Sequence, residues 1–214
     1  MRTLPTAYDK APAADTRPEA ELLLCCARTC MDSARAERIK ALLREAIDWA
    51  YLLRTALPHG MMPLLYWHLN AICPEAVPQA TLAQLRDHFS ANARRNLFLT
   101  GELLGLLKML EAHGIPACPF KGPVLATSVY GNLALRQFID LDILIHKRDV
   151  LRAKDLLISQ GYRLQFHLMT GAQEAACLQS RNALPFARNE GKIGVDLHWE
   201  LTPRYFSFPL DSER

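Results

Sequence analysis

The stretch "FIDLDILIHKRD", residues 138–149, places two acids inside an apolar run that is typical of a buried strand. Side chains two positions apart in a strand share a face, so Asp140 and Asp142 are expected to project together. Ionised carboxylates held side by side repel and raise each other's pKa unless a cation lies between them. The pattern therefore indicates either a cation site or a strand end at which both acids face water.

A third carboxylate follows in "VDLHWEL", residues 195–201. Strand alternation puts Asp196 and His198 on one face and Val195 and Leu197 on the other. If this strand pairs beside the first acidic strand, three carboxylates converge. Hard cations prefer oxygen ligands, so such a group would hold one or two Mg²⁺ ions.

Upstream of both strands, "FKGPVLA", residues 120–126, runs from an extended stretch into the start of a helix. Because Gly122 has no side chain, the backbone can approach a ligand closely there, and Lys121 adds a positive charge beside a helix N-terminus. Taken alone, this pattern is more typical of an ordinary strand-to-helix turn. Combined with the three carboxylates, it favours metal-assisted phosphoryl or nucleotidyl transfer.

Two further residues near these motifs allow more than one interpretation. Arg136 lies four residues before Asp140 and would either clamp a phosphate or neutralise the acids structurally. His198 shares the face of Asp196 and would orient that carboxylate, contact the substrate, or serve as a hydrogen-bonded structural residue. The sequence leaves these alternatives open.

The organisation of the chain changes near its middle. Residues 1–18 are rich in Pro and Ala and predict a disordered tail. Residues 19–114 show helical periodicity, including one helix through 39–53 and a long helix from about 81 to 113. Residues 115–214 alternate short strand and helix patterns. We therefore expect an α+β fold, in which a helical N-terminal layer precedes a core with a small mixed sheet.

Composition excludes several classes of protein. Half of the 214 residues are hydrophobic and the formal net charge is only +3, so a sizeable core is expected and extended nucleic-acid binding is not favoured. The apolar stretch "LLLCCA" is too short to span a membrane and lacks a basic segment before it, so neither a membrane span nor a signal peptide is expected.

The cysteines indicate the redox state of the cellular compartment in which the protein is expected. Three of them, Cys25, Cys26 and Cys30, are close enough in the chain for a metal cluster, but paired C-x-x-C spacing is absent and reduced buried thiols are the better interpretation. Reduced thiols are typical of a reducing compartment. We therefore expect a cytoplasmic protein.

The order of strand, Gly turn, short helix, D-x-D strand, crossover and single-Asp strand resembles the nucleotidyltransferase superfamily of DNA polymerase β. More closely, "PFKGPVLATSVYGNLALRQFIDLDILI", "AKDLLISQGY" and "VDLHWEL" are similar to an uncharacterised bacterial family of that superfamily. The helical lead-in "HGMMPLLYWHL" is also similar to this family. The resemblance begins at about residue 20, and it implies a polymerase β-like core after the helical region. Members of this family commonly extend beyond the V-D-L-H-W strand, so we expect a short member or a fragment.

The resemblance implies roles for the candidate residues. Asp140 and Asp142 would ligate the metals that bridge a triphosphate, and Asp196 would bind the catalytic metal and help to deprotonate the acceptor. All three would thus be catalytic and metal-binding, with Mg²⁺ or Mn²⁺ as cofactor and an NTP as donor. Gly122 would lie under the phosphates. The next residue, Pro123, departs from the usual Gly-Ser or Gly-Gly turn and has no N–H to donate.

Because of this proline, phosphate contact is expected from Lys121 or Arg136, and His198 completes the set of nucleotide-binding candidates. The acceptor is expected to be a small molecule, a peptide or a protein. Two alternatives remain: a catalytically inactive nucleotidyltransferase-like binding or partner protein, and a D-x-D glycosyltransferase, which leaves Asp196 and the Lys-Gly turn unexplained. We also expect the clustered carboxylates to strain the metal-free site, so that Asp142→Asn leaves the metal-free protein as stable as before or slightly more so.

Overall fold

The computed structural model describes residues 17–166 and 170–201, in which eight α-helices and five strands form. The helices are α1 (Pro18–Cys26), α2 (Ser33–Leu42), α3 (Trp49–Ala56), α4 (Met62–Ile72), α5 (Gln79–Ala112), α6 (Gly122–Ser128), α7 (Val150–Ser159) and α8 (Gly171–Ser180). The strands are β1 (Ala117–Pro119), β2 (Asp140–Ile145), β3 (Arg163–Leu164), β4 (Ala183–Arg188) and β5 (Ile193–His198). Residues 1–16 of the predicted tail lie outside the described residues, and Pro18 already begins α1.

Two compact units divide the chain, Met1–His88 and Phe89–Arg214, and their boundary falls within α5. The first unit is helical and has its own apolar core. Buried side chains from α1, α2, α3, α4 and the first turns of α5 form this core, among them Leu22, Cys26, Ile39, Leu42, Leu52, Leu65, Leu69 and Leu85.

The predicted helix through residues 39–53 is wrong, because the chain leaves the helical conformation between α2 and α3. Asp48 starts the new helix: its carboxylate accepts a hydrogen bond from the Tyr51 backbone N–H at 2.9 Å. The backbone N–H of Asp48 donates in turn to Glu19 Oε1 at 2.7 Å. An N-cap with a partner 29 positions away in the chain thus overrides a continuous apolar periodicity.

The long helix predicted from about residue 81 to 113 is confirmed by α5, which has 34 residues. Its apolar stripe enters the core of the second unit through Leu99, Leu103, Leu106 and Leu110. Gly114 then adopts a φ of +67°, a left-handed conformation that costs glycine little and that ends helices.

The second unit contains a five-stranded sheet in the order β1-β2-β5-β4-β3. β2 and β5 are parallel neighbours, and the other pairs are antiparallel, so the predicted small mixed sheet is confirmed. The chain between β2 and β5 passes through α7, β3, α8 and β4, which provides the expected helical crossover.

The antiparallel hairpin of β4 and β5 brings the V-D-L-H-W strand into the middle of the sheet. Its turn has three consecutive residues with positive φ, Asn189 at 52°, Glu190 at 56° and Gly191 at 84°. Such values suit the tight turns that match the twist of paired strands. The sequence "ALPFARNEGKIGVDLHWEL" predicts two strands joined by the turn "NEGK", and the hairpin confirms this prediction.

Alternate residues of the two central strands pack into the core of the second unit. Leu141 and Ile143 of β2 and Val195 and Leu197 of β5 are each at most 1% exposed, and they join the buried leucines of α5 and α7. This burial fixes which face each strand presents, since a shift by one residue would turn the apolar set outward. The intervening acids therefore share the opposite face.

The cysteines form no disulfide among the described residues, which include all six. Burial raises the pKa of the Cys26 thiol to about 12, as expected for an inert thiol within a core. Within the described part of the chain, none of the helices is both long and apolar enough to cross a membrane.

Candidate active site

The D-x-D strand and the V-D-L-H-W strand are direct neighbours, so the condition under which the sequence brings their acids together is met. In the parallel pairing of β2 with β5, Asp142 lies opposite Asp196, and Asp140 lies opposite Gly194. A Cβ built at Gly194 would lie 3.5 Å from the Cβ of Asp140, which is an ordinary van der Waals contact. The register therefore brings two carboxylates side by side in the middle of the sheet.

Three side chains come together around this pair. Asp142, Asp196 and His198 each offer a ligand atom, and these atoms lie within 4.8 Å of one another. Among the described residues, Asp140 is not a member of this compact group. It lies two positions before Asp142 on the same strand face, close enough for its charge to act on Asp196.

Asp142 is the buried member of the acid pair, with 5% of its surface exposed. Its Oδ1 accepts hydrogen bonds from Lys121 Nζ at 2.8 Å and from His198 Nε2 at 3.0 Å. Burial favours the protonated acid, but these hydrogen bonds and the charge of Lys121 outweigh burial and hold the pKa of Asp142 below its ordinary value. Asp142 is therefore an ionised carboxylate with two donors on one oxygen.

Asp196 has the opposite electrostatic environment. Burial raises the pKa of Asp196, and the carboxylates of Asp140 and Asp142 raise it further, although the charges of His198 and Lys121 act in the other direction. Two acids that face each other in register thus have pKa values shifted apart. Such a division of environments is typical of sites in which neighbouring carboxylates have different tasks.

The Lys-Gly turn lies directly beside these acids. Lys121 bridges to Asp142, and its ammonium also lies 5.0 Å from the centre of the Phe120 ring. Gly122 begins α6 with a φ of +48°, and a Cβ there would be 3.4 Å from the carbonyl oxygen of Asp140. The left-handed backbone conformation favours glycine here, and the Cβ of another residue would contact the start of β2. The following Pro123 is buried in the first turn of α6.

Arg136 lies beside the same turn. Its Nη1 donates to the carbonyl oxygen of Gly122 at 3.4 Å, and its guanidinium lies 5.9 Å from the centre of the Phe138 ring. Among the described residues, the acids receive an ion pair from Lys121 and a hydrogen bond from His198 but neither from Arg136. This contact favours the interpretation of Arg136 as a residue of the turn over its interpretation as a counter-ion of the acids.

His198 is 7% exposed and is held between two neighbours. Its Nε2 contacts Asp142, and its ring meets the Phe120 ring edge to face at a centroid distance of 5.0 Å and an interplanar angle of 83°. Its Nδ1 is buried without a hydrogen-bond partner among the described residues. The sequence suggested Asp196 as the carboxylate that His198 orients, but the hydrogen bond is made to Asp142.

Phe120 is a site residue that the sequence motifs missed. It follows β1, and its backbone N–H donates to the carbonyl oxygen of Asp142 at 3.4 Å, which extends the pairing of β1 with β2 to the acids. Its ring covers His198 from the side. The available signal was an aromatic residue directly before Lys121, at the end of an extended stretch. A large side chain there contacts the residues of the neighbouring strand.

The donor set fits a divalent cation. Carboxylate oxygens are the preferred ligands of Mg²⁺ and Mn²⁺. Burial, and after it the charges of Asp140 and Asp142, raise the pKa of Asp196, and a nearby cation would oppose both effects. A metal at this point would supply the missing positive charge.

A mixed sheet that presents paired carboxylates next to a Lys-Gly turn, within an α+β fold, defines a nucleotidyltransferase-like protein. The family model of the uncharacterised nucleotidyltransferases matches residues 45–214, which is more than half of the chain, so the chain belongs to this family. The predicted resemblance and fold class are confirmed. The comparisons with curated proteins and with solved structures found no match. Family membership supports nucleotidyl transfer as the general function.

Proposed function

We propose that the protein transfers a nucleoside monophosphate from an NTP to a hydroxyl or similar acceptor group with the assistance of Mg²⁺ or Mn²⁺. The observation that carries this proposal is the register of Asp142 against Asp196, next to a turn that carries Lys121. A D-x-D glycosyltransferase does not account for this pairing. The acceptor would be a small molecule, a peptide or a protein.

The three carboxylates would hold the metal. Asp140 and Asp142 would hold metal that offsets the charge of the triphosphate, and Asp196 would hold metal that activates the acceptor hydroxyl. When bound, the metal would neutralise charge on the phosphates as it develops during transfer. His198 would hold the carboxylate of Asp142 in one orientation through the 3.0 Å hydrogen bond to Oδ1.

Asp196 would also accept the proton of the acceptor hydroxyl. A metal held beside Asp196 would lower the pKa of the acceptor hydroxyl, so an ionised aspartate would suffice as the base. Asp142 has a lowered pKa and is suited to remain an anion throughout. The two neighbouring acids would therefore divide the tasks of proton acceptor and permanent ligand.

Lys121, Gly122 and Arg136 would bind the phosphates of the NTP. Because Pro123 offers no N–H, the side chains on either side of the turn must supply the donors. The Lys121 side chain is about half exposed and its aliphatic chain is flexible, so its ammonium can turn from Asp142 to a phosphate oxygen. Arg136 contacts the carbonyl oxygen of Gly122 and is already directed to the turn.

A second candidate is a nucleotidyltransferase-like protein that binds a nucleotide or a partner without catalysis. Two observations favour it: the proline in the turn, and the ion pair in which Lys121 already satisfies Asp142. Retention of Asp196 beside Asp142 argues against it, because a carboxylate with a raised pKa destabilises a site that has no use for it.

A thermal unfolding screen tests both candidates. Each of the four NTPs is added with Mg²⁺ or Mn²⁺, and a ligand that binds the native state alone must raise the melting temperature. The proposal expects stabilisation only when metal and NTP are present together. Stabilisation without turnover would favour the binding protein, and an unchanged melting temperature with all combinations would contradict both candidates.

A further inference from the structure

The segment of residues 129–139, which joins α6 to β2, has neither helix nor strand although it leads directly to Asp140. It also carries Arg136. Apolar anchors hold parts of it, since Leu135 and Phe138 are buried. Its backbone carbonyl groups must find hydrogen-bond donors elsewhere, because buried carbonyl groups without partners are costly.

Side chains of α5 supply these donors. Asn96 Nδ2 donates to the carbonyl oxygens of Leu133 at 2.6 Å and Arg136 at 2.7 Å. Asn92, one helical turn earlier, donates through Nδ2 to the carbonyl oxygen of Ala134 at 2.8 Å and more weakly to that of Arg136 at 3.4 Å. The backbone of Arg136 is therefore fixed by two amide side chains.

A third residue of α5 extends the same line of contacts. Arg95 Nη2 donates to the carbonyl oxygen of Ile139 at 3.3 Å, directly before Asp140. We call Asn92, Arg95 and Asn96 the α5 clamp. Because they occupy adjacent turns of one helix, they act on the segment from a single rigid support.

The burial of Asn96 lowers the stability of the fold. It is fully buried, and its Oδ1 has no hydrogen-bond partner among the described residues. A buried polar atom without a partner destabilises the fold, and proteins retain such atoms mainly where function requires them. Its amide group nevertheless makes the two shortest hydrogen bonds of the clamp.

We propose that the α5 clamp consists of positioning residues, which hold the backbone of Arg136 so that its guanidinium stays at the Lys-Gly turn. The main chain of Arg136 is fixed on one side by Asn92 and Asn96, and its side chain reaches Gly122 on the other. This proposal rests on the proposed function, because it assigns Arg136 to the triphosphate. Asn92, Arg95 and Asn96 touch no reacting atom and act through the segment alone.

The test is a double-mutant cycle with Mg²⁺ and inorganic tripolyphosphate as the probe, which reports on phosphate binding without a base. Asn96→Leu keeps the size of the side chain but removes the donor, and Arg136→Gln removes the charge. We expect Asn96→Leu to weaken probe binding about tenfold in the wild-type background, but less than about twofold in the Arg136→Gln background. Calorimetry measures all four affinities.

Tyr162→Phe is the matched control. It removes a hydroxyl group in the same unit, which donates a hydrogen bond to Glu102 and not to the segment. We expect it to lower the melting temperature without changing affinity for the probe. If Asn96→Leu does not fold, Asn92→Ala replaces it, because Asn92 contacts the same carbonyl of Arg136.

The outcomes separate this inference from the proposed function. Equal loss of affinity in both backgrounds, or no loss in either, would overturn the clamp while the proposed function stands. Failure of the wild-type protein to bind both the probe and every Mg²⁺-NTP would contradict the proposed function, and the clamp would fall with it.

Discussion

Two groups of acids in the second unit differ in how their negative charge is offset by neighbouring cations. On one side, Glu102 of α5 pairs with the Arg188 guanidinium and accepts a hydrogen bond from Tyr162 Oη at 3.3 Å. Arg188 also lies over the Tyr162 ring at 4.6 Å. One acid thus pairs with one base, and Tyr162 contacts the base through its ring and the acid through its hydroxyl.

The carboxylate site lacks this balance. Asp140, Asp142 and Asp196 lie on one face, and Lys121 pairs with Asp142. Two donors satisfy Asp142, whereas Asp196 has a raised pKa. The balanced pair needs nothing further and is expected to serve stability. The unbalanced cluster gains from an added cation and is expected to serve binding and catalysis.

The largest expected effect follows removal of the proposed base. Asp196→Asn should lower turnover by at least about a thousandfold while Mg²⁺-NTP affinity changes much less, since the ligands of the triphosphate-bridging ions remain. Pyrophosphate release from the NTP that stabilises the protein measures the rate, and calorimetry measures the affinity. Glu190→Gln, an exposed acid in the hairpin turn before β5, is the charge-matched control. Equal losses in both variants would remove Asp196 from its proposed role.

The next effect concerns the balanced pair. Arg188→Met leaves Glu102 without its ion-pair partner and should destabilise the protein by about 1–3 kcal/mol, reduced from the cost of a fully buried pair by partial exposure to solvent. Adding Glu102→Gln should restore part of this loss, because the isolated charge is then removed. Denaturant titration measures both. Stabilisation by Mg²⁺-NTP should be unchanged, and a loss of it would show that the two charged groups are coupled.

A smaller effect separates the two acids in the metal-free protein, and it corrects an expectation from the sequence. Asp142→Asn should destabilise by about 1 kcal/mol, since it weakens hydrogen bonds that favour the anion, whereas Asp196→Asn should stabilise by about 0.5–1 kcal/mol. The sequence predicted a neutral or stabilising effect for Asp142→Asn. In the structure, Lys121 and His198 donate to Oδ1 of Asp142 and favour its ionised form, so the unfavourable charge is that of Asp196.

The pH dependence distinguishes these two variants further. A lowered pKa makes ionised Asp142 stabilising above its ordinary value of 3.8, and this contribution is lost as the pH falls below 3.8. A raised pKa makes Asp196 destabilising once the pH rises above 3.8. Both differences from the wild type should therefore shrink toward acid pH, with opposite signs at neutral pH. Differences of the same sign would contradict the division of roles.

The sheet and the acid pair could be predicted because strand patterns report faces. Alternation in β2 and β5 placed Asp142 and Asp196 opposite the apolar residues, and burial of those apolar residues fixed the register. The parallel pairing itself came from the resemblance to a known order of elements, since periodicity does not define which strands are neighbours.

The rest depended on contacts between residues remote in the chain. Periodicity could not reveal that Glu19 accepts a hydrogen bond from the Asp48 backbone and thereby supports a break between two helices. It could not reveal that His198 bonds to Asp142 and not to Asp196. Nor could it show that Asn96, within a helix of apolar periodicity, donates to a segment 40 positions away.

The smallest expected effect separates the two roles that Lys121 can have. In the metal-free protein the ion pair of Lys121 joins a half-exposed ammonium to the buried carboxylate of Asp142, so Lys121→Met should cost about 1 kcal/mol. If Lys121 only neutralises Asp142, its removal should strengthen binding of Mg²⁺ alone and of Mg²⁺-NTP alike, because the ammonium no longer competes with the metal. If Lys121 turns to the phosphates, Mg²⁺-NTP binding should weaken about fivefold or more while Mg²⁺ alone binds better. We expect the second result. Calorimetry with Mg²⁺ and with Mg²⁺-NTP tests it, and Lys147→Met, an exposed lysine just after β2, is the control for lost positive charge.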